Sequence, residues 1–181
     1  VDRQGEEGAE GQRMAVDDEQ GRLRGIRHSS SVGVTGLGFT SLRKARHMSD
    51  GLDWVKERGL GALADRMGIE MIEFTAERAV ATMPVEGNTQ PIGLVHGGAY
   101  VVLGESLGSM AANLHAGPGR YAVGVDINAT HTASATSGHV TGTCTAIHLG
   151  RTMTVHEIIV TDENGRRCST VRITNAIRKQ R

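Results

Sequence analysis

The feature that most limits how this chain can fold is one long apolar segment with a single acid inside it. It opens with Pro91-Ile92-Gly93-Leu94-Val95-His96-Gly97-Gly98 and runs on from Ala99 to Leu114. Read as a helix, it is apolar nearly all round, the pattern of a buried core helix rather than a surface one. Glu105 is its only formally charged side chain. A carboxylate in such a rod has to be paired, protonated or turned into a cleft, because an isolated buried charge costs on the order of several kcal/mol.

The segments around it read as strands. Ile69–Phe74 and Arg78–Met83 are short runs separated by a polar turn, a hairpin pattern. After the helix stop at Gly117-Pro118-Gly119 come four strand candidates, 122–131, 138–149, 152–161 and 166–177. The turn between the last two holds Asn164-Gly165, a strong hairpin signal. Ahead of the hairpin, Leu52, Val55, Leu60, Leu63 and Met67 keep helical spacing, with Ser49 or Asp50 as the cap. The order is helix, two strands, long helix, four strands. A curved antiparallel sheet wrapped around the one long helix is the economical α+β arrangement. Exposed edge strands in such a sheet favour pairing with a second copy.

Residues 1–47 differ from the rest, being rich in Gly, Arg, Glu and Ser without periodic apolar positions. They read as a disordered tail, or as sequence upstream of a true start at Met48. The acids Asp17, Asp18 and Glu19 argue against a transit peptide. The domain expected to fold is therefore 48–181. Lys+Arg and Asp+Glu balance at 20 each and aromatics make up 3%, so no nucleic-acid partner is expected. No apolar run suits a membrane span. Cys144 and Cys168 have neither metal-ligand spacing nor a disulfide framework, which fits a reduced, cytoplasmic setting.

On the long helix Glu105 and Ser109 are four apart and share a face. Counting back by fours from Glu105 reaches Gly97 at the helix start, where free backbone N–H groups and the macrodipole favour developing negative charge. A carboxylate two turns on, with Gln90 and His96 in the preceding loop, suits acyl transfer to water. Each residue also has a plainer reading: His96 as a cap, Glu105 on a solvent-facing seam, Ser109 as small packing. Their joint placement carries the functional one. Gly104-Glu105-Ser106-Leu107-Gly108 matches a nucleophile elbow. Too few strands and helices precede it for a doubly wound hydrolase sheet. His156-Glu157 lacks the second histidine of a zinc-binding helix. His131, His139, His148 and His156 read as strand-face or loop residues, so no metal or cofactor is expected.

From Ala81-Thr82-Met83-Pro84 through Gln90 and His96-Gly97-Gly98-Ala99 to Glu105-Ser106-Leu107-Gly108-Ser109, the chain closely resembles the hotdog-fold acyl-CoA thioesterases. The likeness is to the branch containing 4-hydroxybenzoyl-CoA thioesterase, nearest its members acting on 1,4-dihydroxy-2-naphthoyl-CoA and in enterobactin proofreading. It continues through 123–131, Ala146 to Arg151 and Asp162 to Arg166. The resemblance implies hydrolysis of an aromatic acyl-CoA, in menaquinone synthesis for the naphthoyl members, with Glu105 as nucleophile or general base. It implies that the Gly97 N–H polarises the thioester carbonyl, that Gln90 and His96 orient it and assist the thiolate, and that Ser109 holds the water or the carboxylate. His131 and Gly124 would wall the substrate site, and His148, Gly150 and Arg151 would contact the CoA moiety. The site would form between subunits, in tetramers built from two dimers. Thr130 departs from the asparagine common in close relatives. Release from a carrier protein and non-hydrolytic acyl-CoA binding are the alternatives.

Overall fold

The computed structural model describes residues 51–180. The expected cap at Ser49 or Asp50 and the extension over 1–47 lie outside them. Two short helices, α1 (Gly51–Arg58) and α2 (Ala62–Arg66), precede the hairpin β1 (Glu70–Phe74) and β2 (Arg78–Pro84). Then come α3 (Gly97–Ala116), β3 (Arg120–His131), β4 (His139–Leu149), β5 (Met153–Asp162) and β6 (Arg167–Lys179).

The single helix expected from Leu52 to Met67 is two. Gly59 and Gly61 adopt φ of 72° and 92°, conformations that end a right-handed helix and redirect the chain. Leu63, which the spacing placed on a core face, is 58% exposed as a result. Side-chain spacing carries no signal for that turn.

The six strands form one antiparallel sheet in the order β1-β2-β4-β5-β6-β3. α3 packs on it, and the helix side chains that face it explain how closely it lies. Leu103, Leu107 and Ala111 are fully buried, as are Val140, Ile158, Val171 and Ile173 on the strands. Gly104 and Gly108 alternate with those leucines. A methyl on Gly104 would come within 2.8 Å of Val171 Cγ1, and one on Gly108 would run into Ile173 Cγ2. The helix sits at the depth that the absence of side chains allows.

β3 is largely exposed. It is one of the two outer strands, and Tyr121, Val123 and Val125 on it are 37%, 43% and 59% exposed. Asn113 of α3 fastens this edge, donating to the Ala122 carbonyl at 3.1 Å and accepting from the Ala122 N–H at 2.9 Å. No helix among the described residues is long and apolar enough to cross a membrane.

Candidate active site

The start of α3 is organised by its own loop. The Gln90 carbonyl accepts from Gly93 N–H at 2.9 Å and the Gln90 N–H donates to Leu94 at 2.8 Å, closing the turn. His96 is the N-cap, and its Nδ1 accepts from Gly98 N–H at 2.9 Å. With Nδ1 so engaged, Nε2 carries the ring proton and remains a donor. Ala99 N–H goes to the His96 carbonyl, and Gly97 N–H finds no partner among the described residues. His96 thus fills the plainer capping role, and in doing so leaves one aimed N–H free. His131 stands over it: a methyl on Gly97 would lie 2.9 Å from His131 Nε2. Ser169 Oγ, 2.9 Å from Nδ1, holds that ring in place. Gln90, Gly97, Tyr100 and His131 line one cleft of ≈ 320 Å³ with Leu94 and Ser134. Burial raises the Tyr100 pKa, so its phenol stays protonated and only binds, accepting from Ala135 N–H at 3.2 Å.

Glu105 lies eight residues further, about 12 Å along the helix axis. It is half-buried, and Ser109 Oγ donates to its Oε1 at 2.7 Å. On β3, Gly124 gives it room: a methyl there would come within 2.9 Å of Oε1. A bulge between Gly124 and Asp126 turns the strand at this point. Beside the pair, Ser109, Met110, Trp54, Leu60 and Gly61 line a second cleft of ≈ 350 Å³. Ser106 faces elsewhere, its hydroxyl donating to the Val102 carbonyl at 2.8 Å within the helix. The elbow-like motif is therefore ordinary helix.

His148, Gly150 and Arg151 form a third group at the β4–β5 turn, where the Gly150 carbonyl lies 3.0 Å from His115 Nε2 near the far end of α3. Arg151 borders a cleft of ≈ 180 Å³ with Arg120, Thr152, Arg178 and Lys179. The expected residues thus occupy three stations along α3 rather than one cavity within the chain. Reasoning from sequence missed Arg120, Arg178 and Lys179, which converge from two strand ends, the start of β3 and the end of β6, and Asn113. Among the described residues no group of three or more His, Cys, Asp and Glu could hold a metal.

The profile of the family described as Thioesterase superfamily matches residues 92–169. Proofreading thioesterase EntH of Cronobacter turicensis is 42% identical over 133 residues, covering 73% of this chain and 96% of that protein. A crystallised variant of thioesterase PA1618 from Pseudomonas aeruginosa superposes with a TM-score of 0.67 at 37% identity, covering 74% of this chain and 98% of its own. Thioesterase HI1161 from Haemophilus influenzae gives 0.67 at 34% identity, covering 73% and 92%.

Proposed function

The chain belongs to the thioesterase superfamily, the hotdog-fold thioester hydrolases, and on that premise we propose that it cleaves an aromatic acyl-CoA to the free acid and CoA, with Glu105 as the acting carboxylate. One observation carries the reading: the half-buried Glu105, steadied by Ser109, lies two turns away from the Gly97 N–H, which has no partner among the described residues. A thioester held at Gly97 cannot be reached by the carboxylate of the same chain. A second copy, reversed against the first, brings its Glu105 to that cleft. The apolar, unpaired β3 edge supports such an approach. Two such dimers make the assembly.

In this site the thioester oxygen accepts from Gly97 N–H, which strengthens as the carbonyl becomes an oxyanion. Gln90 and the Nε2–H of His96 orient the thioester and donate toward the departing sulfur, while His131 walls the cleft. As base, Glu105 takes one proton from water while the oxygen attacks the carbonyl carbon; collapse expels the thiolate. As nucleophile, its own oxygen adds, the thiolate leaves, and water opens the mixed anhydride. A thiolate leaves without strong acid help, so one carboxylate suffices. In a single turnover in H₂¹⁸O, label in Glu105 identifies the second route, with water adding at the Glu105 carboxyl carbon of the anhydride.

The ring of Arg120, Arg151, Arg178 and Lys179 supports a polyphosphate-bearing leaving group, and the Trp54–Met110 cleft beside Ser109 supports a flat acyl group such as dihydroxynaphthoyl. A second reading is release of the thioester from a carrier protein, the alternative that the resemblance to proofreading thioesterases implies. Buried free cysteines suit a reduced compartment. Release of free thiol from hydroxybenzoyl-CoA, dihydroxynaphthoyl-CoA, straight-chain acyl-CoA and an aryl-carrier protein tests both. Turnover of the aromatic CoA esters supports the first reading; preference for the carrier supports the second. Removal of residues 1–47 leaves the rates unchanged.

A further inference from the structure

A buried amide stands behind the Ser109–Glu105 pair. Asn175, on β6, is fully buried. It is opposite Gly124 on one neighbouring strand and opposite Thr154 on the other. Its Oδ1 lies 3.2 Å from Ser109 Oγ, whose hydroxyl donates to Glu105 Oε1. Among the described residues its Nδ2 has no partner, and neither has the fully buried Thr154 hydroxyl.

The two ends of a carboxamide make opposite demands on a serine. With Oδ1 facing Ser109, a single hydroxyl proton serves two acceptors, and a buried N–H₂ is left unpaired, which folded proteins rarely tolerate. With the amide turned over, Nδ2 donates to Ser109 Oγ and the serine proton belongs to Glu105 alone. We infer that Asn175 is a positioning residue for the reaction: it donates to Ser109 Oγ and thereby commits the serine proton, and the rotamer of Glu105, to one geometry. The amide touches neither water nor thioester. It acts through the serine, in a site walled by Gly124, where a carboxylate free to swing would lose its aim.

This inference rests on the proposed role of Glu105, and its test separates the two. With 4-hydroxybenzoyl-CoA as probe, Asn175→Ala lowers kcat roughly tenfold while KM stays within about twofold, as expected for an interaction that serves the transition state only. Ser109→Ala with Asn175→Ala loses no more than Ser109→Ala alone, because the amide has no other route to the carboxylate. Asn175→Asp, near-isosteric but without the donor, loses at least as much as the alanine variant. Wild-type kcat in a folded Asn175 variant, or additive losses in the double variant, overturns the inference. A measurement on proteins with Asn175 intact covers variants that fail to fold. The Asn175 side-chain amide protons, protected from exchange in the wild type, shift in Ser109→Ala; unmoved signals overturn it equally. Glu105→Gln is the control: continued turnover removes the underlying reading, whereas an inactive Glu105→Gln beside unaffected Asn175 variants removes only this one.

Discussion

Gly124 and Glu105 face each other so closely that one methyl group cannot be added between them: a Cβ on Gly124 would come within 2.9 Å of Oε1. The strand is exposed there, so the substitution costs little folding energy and acts on the acid. Gly124→Ala lowers kcat by about 10²-fold, the scale of a misplacement near 1 Å. Its melting temperature stays near that of the wild type. Full activity would show that the carboxylate does not work from this position.

The two candidate side chains in the elbow-like motif are expected to differ sharply. Glu105→Ala loses about 10³-fold or more in kcat, within the range of a missing general base, and remains folded. Ser106→Ala removes only a hydroxyl bonded to the Val102 carbonyl and stays within about twofold. Thiol-release kinetics on both variants decide it.

The proposed site, drawn from two chains, can be rebuilt from two defective ones. Gln90→Ala and Glu105→Ala are each inactive alone. Unfolded together and refolded at equal amounts, they form half mixed dimers, each with one intact site, so about one quarter of wild-type activity returns. No recovery, with mixed dimers shown by mass spectrometry, would place all catalytic groups in one chain.

His156 gives the fold an acid-sensitive point. It is fully buried on β5, with Nε2–H donating to the Ala76 carbonyl at 3.1 Å. Burial pulls its pKa below the usual histidine value; nearby His115 adds to this, and the Ala76 bond opposes it. Below about pH 6.5 the unfolded chain therefore binds a proton that the folded chain refuses, so stability falls as pH drops toward the folded pKa. Above that range the group contributes no pH dependence. Between about pH 7.5 and pH 5.5 the wild type loses more melting temperature than His156→Gln. Equal losses would exclude His156 as the cause.

Both cysteines are free and buried, and burial pushes the Cys144 thiol up to about 12. Cys144 thus presents no thiolate at neutral pH, and the sulfur of Cys168 is shielded from solvent by burial. A chromogenic disulfide reagent reads almost no thiol on the native protein and two equivalents per chain after denaturation. Native labelling of either cysteine would mean that the α3-facing core opens readily.

The long helix, the hairpins and the Glu105–Ser109 pair were legible because each depends on local spacing. Gly97 was legible because a count of fours from Glu105 returns to a helix start. The helix break at Gly59 and Gly61 was not, since apolar periodicity runs across it unchanged. Asn175 was invisible for another reason. Its neighbours Ser109, Gly124 and Thr154 come from α3, β3 and β5, and only strand register brings them together. The same holds for Arg120 and Arg178, which meet Arg151 from separate strands. The bulge beside Gly124 leaves no mark in the alternation of β3.

Gly104 and Gly108, one on each side of Glu105 in sequence, act as the notch that keys the rod into the sheet. Any side chain at either position would lift the rod from Val171 and Ile173 and roll it. The direction in which the acid points is thus dictated from the opposite flank by two missing methyl groups. Inherited or engineered changes to substrate scope can therefore be sought at Trp54, Leu60 or Met110, whereas a change at this notch would detune every substrate alike.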